Sequence, residues 1–174
     1  MNKLAKQSGF SLFEVLVTVI VISFGAIGAA ALQIRAQQFS HSAYLNTQAT
    51  LLAHDMSERM RANPAGVQSR KYHMPAAKAH KGCYTVSGCE ADEMAENDMY
   101  EWAGGHRNSR IQLLSEGAAV VCIDSTPDDG THKNAACDGS GNIYAIKIWW
   151  RNLDKVIERT VITSTFNYQI ESHH

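Results

Sequence analysis

One carboxylate stands where a carboxylate is expensive. Glu14 lies within Phe10 to Leu32 (FSLFEVLVTVIVISFGAIGAAAL), a run otherwise made of apolar, small and hydroxyl residues. An ionised carboxyl in such a run costs on the order of a few kcal/mol unless it meets a cation or reaches the headgroup boundary. The chain offers no cation between Lys6 and Arg35. Cleavage between Gly9 and Phe10 would create one, the new amine of Phe10. That amine would stand four residues before Glu14, on the same helical face. The amine of a neighbouring copy would serve equally.

Other residues invite chemistry and give it less support. Cys83, Cys89, Cys122 and Cys137 form an even set without CxxC spacing or a zinc-finger pattern. In an oxidising compartment they read as two disulfides with three possible connectivities. Proximity favours Cys83–Cys89 and Cys122–Cys137, the second closing a loop worth about 3 kcal/mol in the chain-entropy view. Eight histidines include no HExxH, and His41 and His54 stand too far apart on one helix to share a metal. Asp124, Asp128, Asp129 and Asp138 sit in a Gly- and Asn-rich stretch, but the spacing of a calcium loop is missing, so a solvated loop is expected. No GxSxG frame supports a Ser–His–acid site. The sequence therefore points to no enzyme, no cofactor and no metal.

The elements that must position Glu14 follow from pattern. Residues 1–9 are polar and carry Lys3 and Lys6; their removal would move the formal charge from −1 to −3. Residues 10–32, as a helix, cover about 35 Å and can span a bilayer. The lysines before the span keep the N-terminus cytoplasmic and send the rest outward, in agreement with the disulfides. A secretory signal cut at Ala29-Ala30-Ala31 is the rival reading, opposed by the length of the run and by its internal charge. Residues 33–63 continue without proline, with Leu45, Ala49, Leu52, Met56 and Met60 on one face, until Asn63-Pro64-Ala65-Gly66 stops the helix. The whole helix would be roughly 80 Å long.

Residues 64–174 form the remaining domain. Residues 64–96 read as loop, and Asn97 is expected to cap a short helix through Met99, Trp102, Ala103, His106 and Leu113, ending at Gly117, with a break at Gly104-Gly105. Strands are expected over Ala118 to Ile123, Asn142 to Trp150 and Val156 to Ile170, the last two joined as a hairpin. Trp149 and Trp150 fall on opposite faces, one for the core and one as an exposed contact. The fold class is α+β, a long helix packed on a small antiparallel sheet. Near-neutral charge gives no footprint for nucleic acid.

The stretch Gly9-Phe10-Ser11-Leu12-Phe13-Glu14-Val15-Leu16-Val17 resembles the leader junction of type IV pilins and type II secretion pseudopilins. The resemblance implies a pilin-like fold, cleavage between Gly9 and Phe10 by the prepilin peptidase, and N-methylation of Phe10. It also implies that Glu14 aligns the incoming subunit during assembly. Ile22 to Arg35 (ISFGAIGAAALQIR) and Met56 to Pro64 (MSERMRANP) further resemble minor pilins of the PilV type. The implied role is a low-abundance structural subunit helping to initiate or modify pilus assembly near the tip. The implied partners are other minor and major pilins, the peptidase and the inner-membrane assembly platform. The implied course runs from inner membrane, with a periplasmic domain, to the surface pilus. A minor pseudopilin of type II secretion, or a membrane-tethered or secreted adhesion domain, are the alternatives.

Overall fold

The computed structural model describes residues 11–104, 108–152 and 157–165. The chain divides into two units, Met1–His41 and Ser42–His174. A single helix, α1 (Leu12–Ala62), contributes to both. In the first unit every described residue from Ser11 to His41 is exposed, Phe13 and Phe24 among them. Thr18 and Ser23 donate their hydroxyls to Val15 O and Val19 O, both at 2.7 Å, so these two hydroxyls are satisfied within the helix.

In the second unit the same helix turns amphipathic. Leu45, Ala49, Leu52, Ala53, Met56, Ser57 and Met60 are its buried positions. Asn63 ends α1 and at once begins α2 (Pro64–Gln68): its Oδ1 accepts the Gly66 N–H at 3.1 Å, and Pro64 occupies the first helical position, where no N–H is needed. The stop signal is thus also a start signal.

Helix α3 (Ala91–Ala103) begins earlier than a cap at Asn97 requires. Glu93 reaches back to accept the Glu90 N–H at 3.3 Å, closing a capping box in which Glu90 takes the place usually held by Ser or Thr. Asn97 lies mid-helix and works sideways, its Oδ1 accepting from His80 N at 2.9 Å and Tyr84 Oη at 3.2 Å. Residues 64–96 are correspondingly richer in structure than loop, holding α2, a 3-10 turn at Lys81–Tyr84 and the start of α3. The expected helix end at Gly117 is corrected: α3 stops at Ala103, where the glycine break was expected, and Arg110–Leu113 form a separate 3-10 turn; a Cβ on Gly104 would stand 2.3 Å from Tyr100 O.

The sheet is antiparallel in the order β1 (Ala118–Ile123), β2 (Ile143–Arg151), β3 (Ile157–Thr165), with Val121 opposite Ile146 and Ile146 opposite Ile162. The hairpin connection after Asn152, the expected strand end at Ile170 and the tail lie outside the described residues. The outer edge of β1 is covered by other segments. Met74 N–H donates to Val121 O at 2.9 Å, Gly139 N–H donates to Ile123 O at 3.0 Å, and Ile123 N–H donates to His73 Nδ1 at 3.1 Å. Edge cover of this kind removes a template for unwanted strand pairing.

Tyr144, Ile146, Ile148 and Trp150 on one face of β2 join the α1 stripe, Tyr72, Trp102, Val121 and Ile123 in a single apolar core. Ala145, Lys147 and Trp149 on the other face are buried as well. The expected exposed tryptophan is therefore corrected: Trp149 and Trp150 are 4% and 1% exposed. The alternation separated the faces but had no means of showing that the second is also covered.

Trp102 ties α3 to α1. Its indole is fully buried and its Nε1–H donates to Leu52 O at 2.9 Å, beside Ala53, a residue with little bulk to hold the ring away. Trp102→Ala should lower unfolding stability by about 3–5 kcal/mol. Trp102→Phe, which keeps most of the ring, should lose about 1–2 kcal/mol. Urea unfolding of the detergent-solubilised chain, followed by far-UV circular dichroism, checks the order.

Candidate assembly site

Glu14 lies in the first turn of α1, where Glu14 N–H and Val15 N–H both donate to Ser11 O at 3.0 and 3.3 Å. The partial positive charge of a helix N-terminus favours a carboxylate there. Its side chain is exposed, and among the described residues no cation lies within ion-pair distance. Gly9 and Phe10 lie outside the described residues. Leu12, Phe13 and Val15 beside Glu14 in sequence are 86%, 73% and 53% exposed, with the hydroxyl residues Ser11 and Thr18 on its own helical face. Among the described residues, α1 is the one helix long and apolar enough to cross a membrane.

The far end of this helix is gripped by a cluster of charges that sequence reading did not find. Arg59 Nη1 donates to Glu101 Oε2 at 2.8 Å and to Asp98 Oδ1 at 3.0 Å, and Arg59 Nε donates to Asp55 Oδ2 at 3.4 Å. Asp98 Oδ2 accepts the Tyr72 hydroxyl at 2.5 Å, while Tyr84 Oη donates to Glu101 Oε1 at 2.8 Å. Burial alone would make the Arg59 guanidinium easier to deprotonate; its bonds to Glu101 and the charges of Asp55 and Asp98 reverse this and raise its pKa. Burial, then the bond to Asp98, pushes the Tyr72 hydroxyl far up. Burial also raises Asp98, against the lowering pull of Tyr72 and Arg59. Glu101 is lowered: its burial opposes ionisation, but the bonds from Arg59 and Tyr84 outweigh it. Asp98 and Glu101 stand some forty residues from Arg59 in sequence, beyond the reach of helical periodicity.

Cys83 is joined to Cys89 and Cys122 to Cys137, with Cα separations of 4.7 and 6.1 Å. His80 and Tyr84 fasten the first loop to α3, His80 Nε2 lying 2.7 Å from Glu96 Oε2. The Asp-rich stretch is not simply solvated. Asp124 is fully buried against Lys147, and Asp129 also meets that ammonium. Cys122, Asp124 and Cys137 come close enough to suggest a metal, but the two sulfurs are bonded to each other and Asp124 is engaged by Lys147. Asp138 is held by Ser125 and Ser140, and those hydrogen bonds keep its carboxyl below the usual range. His41, His54 and His132 are exposed and scattered.

A long, membrane-capable helix bearing one carboxylate in its first turn, packed by its C-terminal half on a small antiparallel sheet, defines a pilin-like protein. The model of the prokaryotic N-terminal methylation motif matches residues 4–30, and that of the family described as type IV pilin Tt1218 matches residues 31–100. The two matches support a type IV pilin, and the N-terminal helix fits an inner-membrane anchor. Comparison with curated proteins and with solved structures found no match.

The charge cluster gives the domain a pH dependence. Glu101 is lowered on folding, so its contribution is present above its ordinary value of 4.5 and is lost as pH falls through the folded value. Asp98 is raised and acts in the opposite sense, favouring the folded state as it takes up a proton. Glu101→Gln should cost about 0.5–1 kcal/mol at neutral pH, a modest figure because the side chain is 33% exposed. That difference from the unsubstituted chain should shrink as pH falls from 4.5 through the lowered folded value and vanish once the folded chain's Glu101 is protonated. Urea midpoints measured across the acid range check both size and sign.

Proposed function

We propose that this chain is a minor type IV pilin that helps initiate or modify pilus assembly at or near the tip, and that it has no enzymatic activity. The observation that carries the reading is Glu14, a lone carboxylate in the first turn of an otherwise apolar, exposed helix within the methylation-motif match. The prepilin peptidase removes residues 1–9 by cutting between Gly9 and Phe10, and Phe10 is then N-methylated. Residues 10–32 hold the subunit in the inner membrane, residues 33–63 form the amphipathic half of the helix, and residues 64–174 lie in the periplasm. In a filament, the Phe10 amine of this or a neighbouring subunit neutralises Glu14, removing an unpaired charge from an apolar surrounding. The assembly platform then passes the subunit to other minor and major pilins, without nucleic acid, and the assembly supports twitching motility.

The two disulfides suit the oxidising side of the membrane. The PilV-type assignment rests on Ile22 to Arg35 and Met56 to Pro64. A type II secretion pseudopilin would share the N-terminal motif; the type IV pilin model matching residues 31–100 supports the pilus reading.

Mass spectrometry of the mature protein should find methylated Phe10 as its first residue, and a start at Leu32 would refute the proposal. Gly9→Val should leave the precursor inserted but unprocessed, seen as an uncut band in the membrane fraction. Glu14→Ala should be processed normally yet be missing from sheared pili on immunoblots; its presence there at the unsubstituted level would remove the pairing role.

A further inference from the structure

Lys147 stands at the middle of β2, opposite Val120 on β1, yet its side chain is fully buried. Its Nζ donates to Asp124 Oδ2 at 2.5 Å, to Ala135 O at 2.8 Å and to Asp129 Oδ1 at 3.0 Å, with Asp129 O at 3.2 Å. All four oxygens belong to the loop closed by Cys122–Cys137. Two carboxylates and two backbone carbonyls converging on one point are the donor types a hard divalent cation takes. Here a covalently tethered ammonium fills the point.

The surroundings indicate what this does for the loop. Asp124 is fully buried, so without a cation its charge would be uncompensated. Asp129 and Ala135 come from the two arms of the loop, and one ammonium holds both arms to the sheet. Smaller bonds then shape the tip, including Thr126 Oγ1 to Asp129 Oδ2 at 2.8 Å and the Thr131–Asn134 bridge. We propose that Lys147 is the loop's internal cation, ordering residues 124–138 independently of metal, and that its removal leaves a vacancy that a divalent cation can fill.

The test uses the full-length chain in detergent, with trypsin cleavage after the exposed Lys133 quantified by mass spectrometry and cleavage after Arg110 as the reference site. In the unsubstituted chain, cleavage after Lys133 should be slow and equal in EDTA and in millimolar Ca²⁺. Lys147→Met in EDTA should be cut about tenfold faster or more at Lys133, with Arg110 unchanged. Ca²⁺ should slow that cleavage again, and NaCl of equal ionic strength should not. Asp129→Asn, which leaves the buried Lys147–Asp124 pair in place, should show a smaller acceleration and keeps the test open if Lys147→Met fails to fold. Faster cleavage of the unsubstituted chain in EDTA would overturn the proposal. So would a Lys147→Met chain that stays resistant or gains no protection from Ca²⁺, or an Asp129→Asn chain cut at the unsubstituted rate.

Discussion

A single helix has to satisfy two surroundings, and the rest of the molecule follows from that constraint. From Leu12 to Leu32, α1 presents mostly apolar side chains on every side. Such a surface is stable only in lipid or against other apolar helices. From Leu45 to Met60 the same helix has one apolar face, and that face is the foundation on which the second unit is built. The stripe has to be covered by something other than lipid, and β2 supplies Tyr144, Ile146, Ile148 and Trp150 to do so. Ala49 and Ala53 lie among the larger buried residues of the stripe, and Trp102 bonds to the helix backbone beside them.

A modest core of this kind leaves long connections to be secured by other means. The segment from Ser69 to Glu90, apart from the 3-10 turn at Lys81–Tyr84, and the loop from Asp124 to Asn142 contain little regular structure. Each is held by a disulfide and by a charged group working at a distance. Cys83–Cys89 closes the first, and the groups of α3 hold it through Asn97, Glu96 and Glu101. Cys122–Cys137 closes the second, and Lys147 holds it from within the sheet. Buried charge pairs contribute little net stability relative to apolar replacements, but breaking one partner is costly. They therefore suit the task of fixing one loop arrangement among several of similar compactness.

The same contrast separates the candidate site from its support. Glu14 is exposed on an apolar helix, and the proposed pairing would come from an amine that exists only after processing or on another subunit. Arg59, at the other end of α1, is surrounded by three carboxylates from its own chain. The Arg59 end of the helix is completed by folding, whereas on the proposed reading the Glu14 end is completed by assembly.

Much of this could be read without coordinates. Periodicity located α1, its buried stripe and its end at Ala62; β-branched runs located the three strands to within a residue or two where described; and the apolar run around Glu14 singled out the one carboxylate of the helix's first turn. These are local properties, since helix and strand periods and the cost of a charge in an apolar segment depend on neighbours in sequence. What tertiary structure alone decided was non-local. Asn97 has the chemistry of a cap and is used as a cross-brace, because Glu90 and Glu93 had already begun the helix. Trp149 is buried because the second face of β2 is covered, which no alternation pattern can report. The aspartates of the 124–138 stretch look like solvated loop until Lys147, on a strand that appears apolar, is placed among them. Sequence determined which residues could pay for burial or bear charge; the meeting of distant segments determined which of them did, because desolvation and pairing depend on what lies across space rather than along the chain.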